Sequence, residues 1–257
     1  MHNELITIGN VTLYGYGLMI GIGILAAYLF AEHQAKKSGL DSEPVFSILI
    51  TGVLFGFLGA KLLYLITIFD QIIADPSIIF KDVSDGFVVY GGIIAGILSV
   101  AIYCRIKKLP FLRYLDAAAP AIALAQGFGR IGCFLAGCCY GMPTDSAFSI
   151  TFTHSNYAPN NIPLFPSQLE SSAFNFLHFF LLCALSKKKK APGQIGAFYL
   201  IFYSIGRFII EFFRGDLERG SVGALSTSQF ISIFVVFAGI LMLVLMGRHA
   251  KTTEDTQ

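Results

Sequence analysis

The sequence predicts an all-α membrane protein of about seven transmembrane helices, N-terminus outside and C-terminus cytoplasmic. Three observations carry this. The 257 residues are 55% hydrophobic and only 13% charged, against roughly 25% charged in soluble chains. Seven apolar runs approach the length of a span. The basic residues fall unevenly on the connections between those runs. The low charge excludes an ordinary soluble enzyme, and a mean hydropathy of +0.69 excludes disorder. A net charge of +2 gives no electrostatic case for nucleic acid. One polytopic membrane domain, residues 1–257, is expected, because a helical bundle in lipid needs no second core.

A spanning helix needs about 20 mostly apolar residues. The runs are Tyr14–Ala31, Val45–Phe69, Phe87–Cys104, Leu112–Ala136, Leu169–Leu185, Ile195–Phe213 and Ser228–Gly247. They lack the alternation of barrel strands. The fourth contains Asp116, Pro120 and Arg130 and is the weakest as a plain span. The fifth is short and is expected to extend. No Lys or Arg precedes the first run, so a cleaved secretory signal is not expected.

The connections after runs one, three and five, with the tail, hold Lys36, Lys37, Arg105, Lys107, Lys108, Arg113, Lys187–Lys190, Arg248 and Lys251. The opposite side holds Lys81, Arg214 and Arg219. Basic residues accumulate on the cytoplasmic side, so twelve against three sets the orientation. The loop 137–168, free of Lys and Arg, is then extracytoplasmic.

Charges inside the runs point to a site. Each costs roughly 2.5–3.5 kcal/mol near the bilayer centre on insertion scales, and such residues usually serve a function. The candidates are Lys61, Asp116, Arg130, Glu170, Arg207 and Glu211. Arg207, Glu211 and Arg214 share a helix face by spacing and form either a site or a structural ion-pair ladder. Arg130, in Gly129-Arg130-Ile131-Gly132, has no acid within four residues. Its planar fork suits a phosphate; the structural alternative is a distant acid such as Glu211. Tyr90-Gly91-Gly92 and Gly127-Phe128-Gly129 either line a cavity or let helices pack closely.

Together these residues carry a resemblance. Tyr16-Gly17-Leu18-Met19, Gly59-Ala60-Lys61, Tyr90-Gly91-Gly92, Gly129-Arg130-Ile131-Gly132-Cys133-Phe134, Pro166-Ser167-Gln168-Leu169 and the stretch from Tyr203 through Arg207 and Glu211 to Arg214 occur in this order. The series resembles the bacterial prolipoprotein diacylglyceryl transferases over nearly the whole chain. The blocks around Arg130 and Arg207 are the specific ones.

The resemblance implies a multi-pass enzyme of the bacterial cell (inner or plasma) membrane. It would move the diacylglyceryl group of phosphatidylglycerol to the lipobox cysteine thiol in the signal-peptide region of a prolipoprotein, releasing glycerol phosphate. By resemblance Arg130 binds the phospholipid, Arg207 is a second essential arginine, and Tyr203 is a tyrosine on the Arg207 face. Tyr16, Gly91, Gly92, Gly129 and Glu211 join the substrate-binding set. Lys61 stands where the family usually has arginine. No cofactor and no metal are implied.

There are departures from the family pattern. Tyr90 stands where the family has a histidine, the usual candidate for a catalytic role. With an unperturbed pKa near 10, tyrosine is a poor base at neutral pH, so a hydrogen-bond-donor role is expected. Cys133 replaces an asparagine, and Ala136-Gly137-Cys138-Cys139-Tyr140-Gly141 replaces an Asn-Gly-Glu stretch. Glu170-Ser171 follows Leu169 where the family has Tyr-Glu. Cys104 and Cys183 read as packing residues. Cys133, Cys138 and Cys139 read as inert thiols or a disulfide, or Cys138 or Cys139 as a transient acceptor of the lipid, and with only His154 nearby a metal site is disfavoured. Ser167 and Glu170 fit a capping box at the start of run five. Alternatives to the transferase are a paralogue with another acceptor, a non-catalytic lipid-binding protein, or a transporter, which the lack of an inverted repeat disfavours.

Overall fold

The computed structural model describes residues 4–9, 11–81, 86–216 and 220–254. Arg219, counted above among the external basic residues, lies outside them. The chain opens with an antiparallel hairpin, β1 (Glu4–Ile8) and β2 (Val11–Tyr14), that runs into helix α1 (Gly15–Lys37). Then come α2 (Glu43–Thr67), two short helices α3 (Phe69–Ala74) and α4 (Ile78–Lys81), α5 (Val89–Ile106) and α6 (Phe111–Ala136). The loop after α6 carries the small pair β3 (Ile150–Thr151) and β4 (Pro163–Leu164). Helices α7 (Ser167–Ser186) and α8 (Gln194–Ile210) follow, then a 3-10 turn at Glu211–Phe213. The pair β5 (Ser221–Val222) and β6 (Leu225–Ser226) leads into α9 (Thr227–Glu254).

Seven helices among the described residues are long and apolar enough to cross a membrane. They coincide with the seven apolar runs. The fourth run is one continuous helix despite Pro120, and the fifth extends to Ser167–Ser186.

Contacts divide the chain into two compact units, residues 35–114 and residues 1–34 with 115–257. In the first, α2 packs on α5 through small residues. A Cβ at Gly92 would sit 2.9 Å from the Gly56 carbonyl oxygen, and one at Gly91 would fall on the Gly59 carbonyl. Only residues without side chains let two backbones approach this closely. Cys104 is fully buried here, as its packing role requires. The second unit holds a core of Ala119, Ala123, Leu182 and Ile195, from α6, α7 and α8, sealed by Phe179, Leu185, Phe198 and Tyr199. The loop between α6 and α7 has its own small core of Phe152, Ala158 and Leu164.

Asp116 proves to be a structural charge. It is 1% exposed. Its carboxylate accepts backbone N–H bonds from Gly193 (2.8 Å), Ile195 (2.9 Å) and Gly196 (3.1 Å), and Lys189 lies 3.4 Å away. The first N–H groups of a helix have no intrahelical partner. Asp116 supplies that partner to α8 from α6, where its charge also complements the positive end of the helix dipole.

Candidate active site

Arg130 lies in the last two turns of α6, where glycines admit neighbouring helices. A Cβ at Gly132 would meet the Tyr16 carbonyl of α1 at 3.2 Å, and one at Gly127 would meet the Phe176 ring of α7 at 2.8 Å. Ser172 of α7 reinforces that contact, its Oγ donating to the Gly127 carbonyl at 2.9 Å. Gly206 of α8 takes the Phe174 ring against its backbone. Gly129 differs, because a Cβ there meets nothing within 4 Å.

The result is a small cleft lined by Arg130, Ser171, Phe174, Asn175, Tyr203, Arg207 and Ile210. Arg207 is held firmly. Its Nη2 lies 2.8 Å from Glu211 Oε2 and donates to Ser228 Oγ of α9 at 3.0 Å. The Tyr203 ring stacks on Tyr199 with centroids 5.6 Å apart. Among the described residues, neither a hydrogen bond nor an ion pair holds the Arg130 guanidinium. Its electrostatic neighbours are Tyr203, Tyr16 and the three thiols of Cys133, Cys138 and Cys139.

The cysteines follow directly. Their sulfurs lie within 4.8 Å of one another, and all three are free thiols. No other group of three His, Cys, Asp or Glu side chains among the described residues is compact enough to hold a metal. The turn that gathers the thiols needs left-handed backbone at Gly137 (φ 76°) and Cys139 (φ 58°). Non-glycine residues rarely adopt that conformation unless the surroundings impose it. Here Ser167 Oγ and Gln168 Nε2, both 1% exposed, donate to the Cys139 and Cys138 carbonyls at 2.9 Å each. From the other side, the Gly215 N–H donates to the Tyr140 carbonyl at 3.0 Å.

Two expectations change. The capping box at Ser167 is absent. Pro166 occupies the cap position of α7, so Ser167 is already the first helical residue and its hydroxyl turns to the cysteine loop. The ladder from Arg207 through Glu211 stops at Glu211. α8 ends at Ile210 and the chain then tightens to a 3-10 turn, so Arg214 leaves the shared face. It pairs bidentately with Asp216, at 2.6 and 3.2 Å.

Comparison with known proteins places this arrangement. The family model for prolipoprotein diacylglyceryl transferase matches residues 3–245. A phosphatidylglycerol–prolipoprotein diacylglyceryl transferase of Clostridium tetani is 49% identical, covering 91% of this chain and 93% of that protein. A second of that name, from Clostridium perfringens, is 46% identical over 91% of each chain. One from Staphylococcus aureus is 31% identical over 92% of this chain and 86% of its own.

The chain belongs to the prolipoprotein diacylglyceryl transferase family.

It is therefore a transferase, and its seven long apolar helices make it a multi-pass membrane protein. Of the candidate residues of this family member, Tyr16, Gly129, Arg130, Tyr203, Arg207 and Glu211 all stand in the unit that holds the cleft. Lys61, Tyr90, Gly91 and Gly92 stand on α2 and α5 in the other unit. There the Lys61 ammonium lies over the rings of Tyr64 (4.9 Å) and Phe87 (5.2 Å), a cation–π arrangement. Tyr90 is half-buried in the first turn of α5.

The sequence reading missed Ser171, Phe174 and Asn175 of the cleft. The signal was present. Ser167, Gln168, Ser171, Ser172, Asn175 and His178 are all buried and recur at helical spacing inside an apolar run. A polar stripe in a membrane helix marks the face turned to protein or to a site. Among the described residues Asn175 Oδ1 has no hydrogen-bond partner although buried, which leaves an acceptor at the cleft wall.

Proposed function

We propose that this chain transfers the diacylglyceryl group of phosphatidylglycerol to the lipobox cysteine thiol in the signal-peptide region of a prolipoprotein. The observation that carries the reading is the Arg130 guanidinium, which no hydrogen bond or ion pair holds among the described residues, sharing a cleft with the anchored Arg207 and with Tyr203. A forked cation without a protein anion suits a phosphate diester. The acceptor sulfur attacks the glycerol carbon next to the phosphate, the C–O bond breaks, and glycerol phosphate leaves. Negative charge grows on the leaving oxygen. Cations already in place favour that change more than they favour the bound lipid. Tyr203, Tyr16 and Glu211 position these groups. By the family resemblance Lys61 supplies a further cation and Tyr90 a neutral hydrogen-bond donor.

Expression in a transferase-deficient bacterial strain, with the mass of a reporter lipoprotein read directly, tests the reading. The expected product carries one added diacylglyceryl group. An unmodified reporter with normal membrane levels of this protein overturns it and favours another acceptor or a lipid-binding role.

The same reading places the N-terminus and the loop between α6 and α7 outside, supported by the distribution of basic residues. Phe148 is 81% exposed in that loop. A Phe148→Cys variant is expected to gain maleimide label over wild type on intact cells. Gain only after permeabilisation reverses the topology.

A further inference from the structure

The three thiols at the end of α6 form a group of reactive side chains that the transfer described above does not use. Spacing alone disfavours a metal there, because Cys133, Cys138 and Cys139 come with no histidine at ligand spacing. The backbone supplies what spacing hides. α6 ends in a Schellman motif: the Cys138 N–H donates to the Cys133 carbonyl at 3.1 Å and the Gly137 N–H to the Phe134 carbonyl at 3.1 Å, with Gly137 left-handed at φ 76°. This motif sets the side chain just past the helix end against one in its last turn, so Cys138 comes back onto Cys133. Left-handed backbone at Cys139 (φ 58°) then brings the third thiol to the same place.

The geometry suits an ion. Sulfur ligands of a tetrahedral zinc ion, each about 2.3 Å from the metal, stand about 3.8 Å apart. The three sulfurs already lie within 4.8 Å of one another, so small side-chain rotations bring them onto an ion. All three side chains are half-buried, which gives the ion a way in. The backbone that carries them is fixed by other groups, since Ser167 Oγ and Gln168 Nε2, both 1% exposed, bond the Cys139 and Cys138 carbonyls. Outer hydrogen bonds of this kind are what orient metal ligands. The charges agree. Three thiolates and a divalent ion sum to one negative charge. Arg130 has all three thiols among its electrostatic neighbours, and Arg214, itself paired with Asp216, acts on Cys139 from the segment after α8.

We propose that Cys133, Cys138 and Cys139 bind a zinc ion as thiolates. An all-sulfur set selects thiophilic ions over Mg²⁺ and Ca²⁺. Three S–H protons pass to solvent as three Zn–S bonds form, and nothing is oxidised or reduced. Among the described residues no fourth His, Cys, Asp or Glu joins the group, so water completes the tetrahedron. A disulfide accounts for the arrangement less well. It would join two sulfurs and leave the third, whereas the turn gathers all three. The ion ties the loop after α6 to the last turn of that helix. None of the three cysteines lines the cleft, so the site stands whether or not the chain transfers lipid.

Metal content tests this directly. Untagged full-length protein, purified in detergent from zinc-replete cells with its thiols kept reduced, is expected to hold about one zinc per chain by elemental analysis. Cobalt(II) exchanged into it should give the intense sulfur-to-cobalt absorption and strong visible bands of a tetrahedral thiolate site. Cys133→Ser, Cys138→Ser and Cys139→Ser should each weaken zinc binding at least about tenfold, since even loss of an outer hydrogen bond costs that much. A Cys104→Ala, Cys183→Ala double variant should keep the wild-type affinity. Zinc should raise the unfolding temperature of wild type, because it binds the folded form, and leave the serine variants unmoved. The wild-type zinc content and cobalt spectrum decide the matter even where a serine variant folds poorly. Wild type that holds no zinc and shows no cobalt bands overturns the proposal. So does zinc binding undiminished in all three serine variants, or a wild-type mass two hydrogens lighter that reductant restores, which is a disulfide. Copper held in place of zinc under the same exchange overturns the choice of ion.

Discussion

The cleft between α6, α7 and α8 and the contact between α2 and α5 answer one problem in opposite ways. Between membrane helices, lipid tails are as apolar as leucine, so burying apolar surface gives little drive to associate. In α2 and α5, Gly56 and Gly59 meet Gly91 and Gly92, and the backbones themselves touch. From α7, buried polar side chains reach α6 and the loop after it, as with Ser172 on the Gly127 carbonyl and Gln168 Nε2 on the Cys138 carbonyl. The glycine contact leaves no space. The polar one leaves a cleft whose wall holds Arg130 and Asn175 Oδ1, groups without a hydrogen-bond partner among the described residues. Close approach between glycines is therefore a packing device, and unspent polar groups mark the site.

The sharpest way to break this contrast compares two glycines. Gly91→Leu drives its side chain into the Gly59 carbonyl and Leu63, and neither a backbone carbonyl nor a packed helix can retreat. Overpacking of this kind costs about 1–3 kcal/mol where neighbours relax, and more where they cannot. The expected outcome is loss of folded protein from the membrane fraction. Gly129→Ala, whose Cβ meets nothing, is expected to fold at wild-type levels. Equal expression of both variants would refute the packing role of Gly91.

Arg130→Lys comes next. Lysine keeps the charge but loses the two-pronged geometry. Removing one preorganised donor of this kind lowers turnover by about 10²–10³. The expected result is a loss of that order in transfer with an unchanged unfolding temperature in detergent. Full activity in the lysine variant would remove Arg130 from phosphate binding.

Asp116 sharpens the contrast from the structural side. It was a candidate site residue only because it is a charge inside a span. Asp116→Asn keeps the shape but turns an N–H₂ toward one of the backbone donors at the start of α8. Losing a charge-assisted hydrogen bond in a buried place costs about 1.5–3 kcal/mol. A lowered unfolding midpoint is expected, with kcat per folded molecule near wild type. Unaltered stability would show that the cap is redundant.

The difference between these residues explains what the sequence made legible. The spans were readable because each run is mostly apolar, Arg130 because it is a charge inside a run, and Tyr203 and Arg207 because their spacing of four survives in one helix. The partner of Asp116 lies 77 residues away at Gly193, and no local pattern announces it. The α7 stripe was hidden inside a run counted as apolar. The thiol cluster depends on left-handed backbone at Cys139 and on clamps from Ser167 and Gln168, neither of which spacing reveals. The 3-10 turn at Glu211–Phe213 undid the expected face shared with Arg214 for the same reason.

Tyr90 carries the smallest expected effect, and it stands in the α2–α5 region of the comparison. It opens α5 one residue before the glycine contact, so a packing role is the natural competitor to a chemical one. Tyr90→Phe removes the hydroxyl and keeps the ring, which separates the two. As a neutral donor to the leaving phosphate, the hydroxyl contributes a hydrogen bond worth about 0.5–1.5 kcal/mol, up to roughly a tenfold change in rate. A role as base would demand a fall of several units from a pKa near 10, with each unit about 1.36 kcal/mol. Apolar surroundings oppose that fall by disfavouring the phenolate. The two roles differ in their pH signature. Loss of a donor lowers transfer by a constant factor from about pH 6 to 9. Loss of a base lowers it most where the base is ionised and flattens the profile. A constant loss of up to tenfold is the expected outcome. A wild-type rate at every pH would make Tyr90 one more packed aromatic beside Gly91, and the leaving phosphate would then depend on the arginines alone.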